Sequence, residues 1–129
     1  MAELLSPSTV EAAAARIAPH LRRTPTMTVE GAAFGLADPV SLKLELTQHT
    51  GSFKARGAFN NLLARRVPSV GVTAASGGNH GAAVAYAAAC LGHPARIFVP
   101  TVSTPVKVER IRSYGAEVVV AGDRYADGE

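Results

Sequence analysis

Apolar residues at Val10, Ala13, Ala14, Ile17, Ala18 and Leu21 recur at three- and four-residue intervals, which predicts an amphipathic helix near the N-terminus. Ser8 with Glu11 three positions on reads as the capping box that starts it. Pro25 returns the chain to an extended path. Residues 40–46 alternate in part and predict a strand. Residues 53–66 predict a helix with Ala55, Ala58, Phe59, Leu62 and Leu63 on one face. Residues 70–75 are a short apolar run, expected as a buried strand. Residues 79–91 form a second helical stretch, stopped by Gly92 and Pro94. A third strand centres on residues 97–99. Thr104 followed by Pro105 reads as a cap with proline at the first helical position. That helix ends near Tyr114 and Gly115, and residues 117–121 predict a fourth strand.

Strands that alternate with helices imply right-handed crossovers and a parallel sheet covered on both faces, the α/β class. The nearly unbroken apolar strands agree. Ala82, Ala83, Ala85, Ala87, Ala88 and Ala89 would let the second helix lie close to that sheet, and the alanine-rich pieces read throughout as packing surfaces. The chain stops at residues 126–129, directly after a strand. An open parallel sheet seldom ends there, so the expectation is a piece of a longer fold.

Composition narrows the class. The 129 residues are 47% hydrophobic and 18% charged, which excludes a disordered tail and suffices for a core. No apolar run reaches the roughly 18–20 residues of a membrane span. The N-terminus lacks the basic and apolar segments of a secretory signal, so the expected location is cytoplasmic. The net charge is +3, but the 13 Lys and Arg are scattered, with only Arg22–Arg23 and Arg65–Arg66 adjacent. Neither a nucleic-acid nor a membrane partner is expected. Cys90 is alone, which excludes an internal disulfide framework and suits a reducing compartment; it reads as a small buried residue. Cys90 and His93 have ligand-like spacing without a second pair, so no metal site is expected. His20 and His49 have no partner that the sequence names, and Glu45 and Asp123 read as solvated carboxylates.

Two segments carry candidate chemistry, each where a loop enters a helix. In the run from Thr50 to Gly57, Ser52 reads as the N-cap, which puts Lys54 in the first helical turn. A cation there opposes the helix dipole at a cost of roughly 0.3–1 kcal/mol. One reading is a lysine reaching into solvent. The other is an amine nucleophile, enclosed and discharged, since burial and a positive dipole both lower a lysine pKa. The second segment, Ser76-Gly77-Gly78-Asn79-His80-Gly81, joins a buried strand to the alanine-rich helix. It is either an ordinary glycine turn or a cradle whose backbone N–H groups and helix N-terminus hold an anion. It has neither the P-loop nor the dinucleotide-binding spacing.

Together, Leu42-Lys43-Leu44-Glu45 through Gln48, the run from Thr50 to Ala58, and the run from Ser76 to Gly81 resemble fold type II pyridoxal-phosphate enzymes. They are most similar to the serine/threonine dehydratase (threonine ammonia-lyase) and serine racemase branch, and the resemblance extends from about Arg23 onward. It implies an open parallel sheet flanked by helices, tryptophan synthase β-like and incomplete in this chain. Residues 1–45 would belong to the larger cofactor domain. Residues 46–129 would form a smaller αβ domain with the Schiff-base lysine and the carboxylate-binding loop, and the remainder of the family fold would lie beyond.

The resemblance also implies roles. Lys54 would bond to pyridoxal 5′-phosphate at the bottom of a cleft facing residues 76–80, Phe53 would pack beside the ring, and Asn79 would meet the ring's 3′-oxygen. Ser76, the backbone near Gly77, Asn79 and His80 would hold the substrate carboxylate. The implied reaction is β-elimination from L-threonine or L-serine, giving a 2-oxo acid and ammonia, with a small amino acid as partner and a homo-oligomer as the assembly. Serine racemases carry a second serine where this chain has Gly77, which favours the dehydratase. A racemase or threonine synthase of the same fold, and a non-catalytic anion-binding α/β fragment, are the alternatives.

Overall fold

The computed structural model describes residues 5–123. Helix α1 (Pro7–Ile17) is followed by strand β1 (Thr26–Val29) and strand β2 (Val40–Lys43), then helix α2 (Lys54–Ala64). Strand β3 (Val72–Ala75), helix α3 (Asn79–Cys90), strand β4 (Ala95–Val99), helix α4 (Pro105–Ser113) and strand β5 (Glu117–Val120) complete it. Strands β3, β4 and β5 lie side by side in one parallel sheet, with Ala75 opposite Phe98 and Val99 opposite Val120. The α/β architecture, a parallel sheet flanked by helices, is therefore as expected.

The strand at residues 40–46 departs from expectation. It ends at Lys43 and pairs antiparallel with β1, Thr26 opposite Lys43 and Val29 opposite Val40, so it does not join the parallel sheet. Only about ten residues separate the two strands, a connection too short for a parallel crossover and long enough for a hairpin. The helix-like turn at Glu45–Thr47 ends the strand early.

Helix α1 starts earlier than the Ser8 box implied. Its cap is Ser6, whose Oγ accepts the Thr9 N–H at 3.2 Å while Thr9 Oγ1 accepts the Ser6 N–H at 2.9 Å. Pro7 explains the shift, because its missing N–H and preset φ suit the first helical position. The alanines at positions 12, 14 and 15 face solvent and Val10 is 57% exposed, so only Ile17 of this helix is buried. All but the last of the α3 alanines behave as expected, Ala89 being exposed. Ala82, Ala83, Ala85, Ala87 and Ala88 are buried with Phe59, Ile97, Val99 and Ile111 in one core cluster or against it. Cys90 is exposed, against the expectation of burial, because the last residues of α3 run past the surface that the helix covers.

Candidate functional site

The residues that lead into α2 form two tight turns, and the rest of the fold holds them from several sides. Gln48 is 2% exposed; its amide donates to the Arg22 carbonyl at 2.9 Å and accepts the Arg22 N–H at 3.0 Å. Glu45 is not the solvated carboxylate that the sequence suggested. It accepts both Nε and Nη2 of Arg56 at 2.9 Å and the Thr24 hydroxyl at 2.5 Å. The Arg56 bonds hold the Glu45 carboxyl below its ordinary value, against the opposing effect of burial. His49 Nδ1 lies 3.1 Å from the Tyr86 hydroxyl on α3, with the rings stacked at 5.0 Å. Arg110 on α4 donates to the Thr50 carbonyl oxygen.

Thr50 lies at φ 63°, a left-handed conformation that non-glycine residues rarely adopt. Its buried Oγ1 has no hydrogen-bond partner among the described residues, at a cost of about 1–3 kcal/mol. The turn is thus an uncomfortable conformation that its surroundings impose. The turn delivers the chain to Ser52, whose Oγ accepts the Lys54 N–H at 3.3 Å. The helical backbone begins one residue later than expected, with Phe53 in the cap position, but Lys54 is in the first turn as foreseen.

Lys54 is exposed rather than enclosed at the bottom of a cleft. Its Nζ lies 5.2 Å from the centre of the Phe53 ring, which is itself 61% exposed. Among the described residues, none closes over this amine. Its charge nevertheless acts on the glycine turn: the His80 ring is held below its ordinary pKa of 6.5, first by partial burial and then by the Lys54 charge.

The glycine turn has the features of an anion cradle. Ser76 Oγ accepts the Gly78 N–H at 3.2 Å, which leaves its own O–H free to donate. Helix α3 starts at Gly78 without a side-chain cap, so the N–H groups of its first turn lack intrahelical partners. Ser76, Gly77, Asn79 and His80 therefore lie in one strand-to-helix turn, while Lys54 and Phe53 stand at the start of α2. Gly77 packs closely, since a Cβ there would meet the Ser103 hydroxyl, which would have to swing aside, and approach Val99 Cγ1 to 3.0 Å. Sequence reasoning missed Ser103, Tyr86 and Arg110, and left His49 without a partner. Those three reach the site across many residues of sequence, and no local spacing betrays them.

His49 and His80 predict how stability changes with pH. Burial, then the Arg22 charge, lowers the His49 pKa from 6.5, and His80 is lowered as described. Below pH 6.5 the unfolded chain takes up protons that the folded one refuses, so stability falls as the pH drops toward the depressed folded values. Glu45 adds a second loss below its ordinary 4.5, as the pH falls through its lowered folded value. Urea midpoints should decline steadily from about pH 7.5 to about pH 5. A His49→Asn variant should flatten that decline; an unchanged slope would remove His49 as a source.

Among the described residues, no helix is long and apolar enough to cross a membrane. The chain is 52% identical over 84 residues to phenylserine dehydratase of Ralstonia pickettii, covering 64% of this chain and 26% of that protein. It superposes on the crystal structure of the T.th. threonine deaminase with a TM-score of 0.81 and 43% identity, over 96% of this chain and 39% of that one. For maize serine racemase the TM-score is 0.78 and the identity 39%, over 89% and 36% of the two chains. The chain thus spans well under half the length of each. The family model described as pyridoxal-phosphate dependent enzyme matches residues 17–129, which include both helix-entry segments and the sheet that carries them, and the chain belongs to that family.

Proposed function

We infer that this chain supplies the lysine and the carboxylate-binding turn of a pyridoxal-phosphate-dependent lyase. The lyase would eliminate the β-hydroxyl of L-threonine or L-serine, giving a 2-oxo acid and ammonia. What supports this reading is a pair of helix starts, one carrying the Lys54 amine and the other an uncapped turn, on helices α2 and α3 that pack against each other, with the Lys54 charge acting on His80. On the same reading, residues 1–45 belong to a larger cofactor domain and residues 46–129 to a smaller one.

The donor set fits the cofactor. A primary amine suits its aldehyde, the exposed Phe53 face suits its ring, and the Asn79 amide suits the ring's 3′-oxygen. When bound, the ring acts as an electron sink for charge that develops at the substrate α-carbon. Lys54 Nζ takes the α-proton. Ser76 Oγ donates to the substrate carboxylate with the proton left free by its Gly78 contact. The first-turn N–H groups at Asn79 and His80, with the backbone near Gly77, fix that carboxylate against the helix dipole. His80, whose surroundings favour its neutral form, can add a hydrogen bond.

Racemisation has one observation in its favour. The Ser103 hydroxyl fills the space of a Gly77 side chain and so stands beside the turn. Borohydride reduction of the whole protein with pyridoxal phosphate, followed by peptide mapping, tests the main reading, and the expected result is a pyridoxyl label on Lys54. Without that label the chain is an anion-binding module. With it, 2-oxobutanoate from L-threonine supports the lyase, and D-serine from L-serine with no 2-oxo acid supports the racemase.

A further inference from the structure

The turn that presents Lys54 does not hold itself. Thr50 is in the left-handed region with a buried, unpartnered hydroxyl, so the turn relaxes unless its neighbours oppose it. His49 is the side chain of this turn that reaches α3, the helix whose first residues form the anion cradle. We propose that His49 and Tyr86 are a positioning pair: their hydrogen bond sets Lys54 relative to the carboxylate-binding turn. This rests on the function proposed above.

The geometry favours a fixed link. Tyr86 is half-buried, seven residues into α3 from Asn79, and its ring meets Phe59 edge-on at 6.1 Å and Tyr114 at 5.5 Å. It is therefore clamped by α2 on one side and by the end of α4 on the other. The His49 ring stacks on it, so the bond is backed by ring packing. Arg22, Cys90 and Tyr114 are the other titratable or charged groups that act on the pair, and burial favours the neutral His49 ring and the protonated Tyr86 phenol. A neutral histidine bonded to a phenol transmits position without introducing charge. Arg110 grips the next residue, Thr50, from α4, so the turn is held on two sides.

Tyr86→Phe is the decisive variant, because it keeps the ring contacts and deletes only the hydroxyl. In the whole protein, Tyr86→Phe and His49→Ala should each slow capture of pyridoxal phosphate on Lys54, measured by borohydride trapping without substrate, by roughly three- to tenfold. Each should lower kcat by a similar factor and leave the amino-acid KM within about twofold. The double variant should be no worse than either single one, because both remove one link. His49→Asn, which returns a polar group near Nδ1, should recover most of the loss. A Tyr86→Phe protein that captures cofactor and turns over like the parent overturns the pairing, and so do single losses that multiply in the double variant. If the parent itself shows no label on Lys54, the function proposed above falls and this inference falls with it.

Discussion

On the function proposed above, Lys54→Ala should remove the covalent label of pyridoxal phosphate and lower elimination by on the order of 10³-fold or more, because one amine would both hold the cofactor and move the α-proton. Folding should hardly notice. The variant loses a cation–π contact with the Phe53 ring at 5.2 Å, which at an exposed site is worth about 0.5–1 kcal/mol. It also removes a cation from the positive end of α2, which returns about 0.3–1 kcal/mol. The two nearly cancel, so thermal unfolding of the variant should stay close to that of the parent. His80 supplies an independent reading. Its proton affinity is depressed partly by the Lys54 charge, so its titration should move upward in Lys54→Ala, which NMR of the ring would detect. An unmoved His80 would show that residue 54 does not face the turn, whatever happened to activity.

The contrast between the two helix starts shows what a sequence discloses. Both segments were legible, because a helix entry has a local signature: Ser52 and Lys54 at one, the glycines and Asn79 at the other. The stretches that became α3, β4 and α4 were legible for the same reason, with alanines at helical spacing, an apolar run, and proline after threonine. What was not legible is held by distant partners. The 11-residue separation of Glu45 and Arg56 carries no signal until β2 stops at Lys43 and the chain turns back. His49 has no visible partner in the sequence because Tyr86 lies 37 positions away. The β1–β2 hairpin escaped notice because Thr26–Val29 is short and mostly exposed, too weak a pattern to announce a strand. The enclosed Lys54 was an inference from chemistry, and the described residues leave it open. The chain spans about two-fifths of the threonine deaminase it superposes on.

Gly81→Ala should be strongly damaging, although helix propensity argues the other way. Replacing glycine by alanine inside a helix ordinarily gains up to about 1 kcal/mol. Gly57, exposed in α2 with nothing within 4 Å of an added Cβ, should follow that rule and become slightly more stable as alanine. Gly81 is buried in the first turn of α3, where the same methyl would collide with the Ser76 carbonyl oxygen and come within 3.1 Å of Ile97 Cγ2. A flexible side-chain end would swing aside, but a carbonyl at the end of β3 does not, since the Ser76 N–H is bonded to Phe98 O at 2.9 Å. Overpacking against such a neighbour costs about 3 kcal/mol, which exceeds the propensity gain. Relief requires that α3 back away from β3, and that movement widens the turn meant to grip a carboxylate. Gly81→Ala should therefore lower the urea midpoint and raise the amino-acid KM together, while Gly57→Ala raises the midpoint and leaves KM alone. Equal stability of the two variants would mean that α3 is not seated on Ser76, and the close approach of helix and strand that shapes the cradle would have to be abandoned.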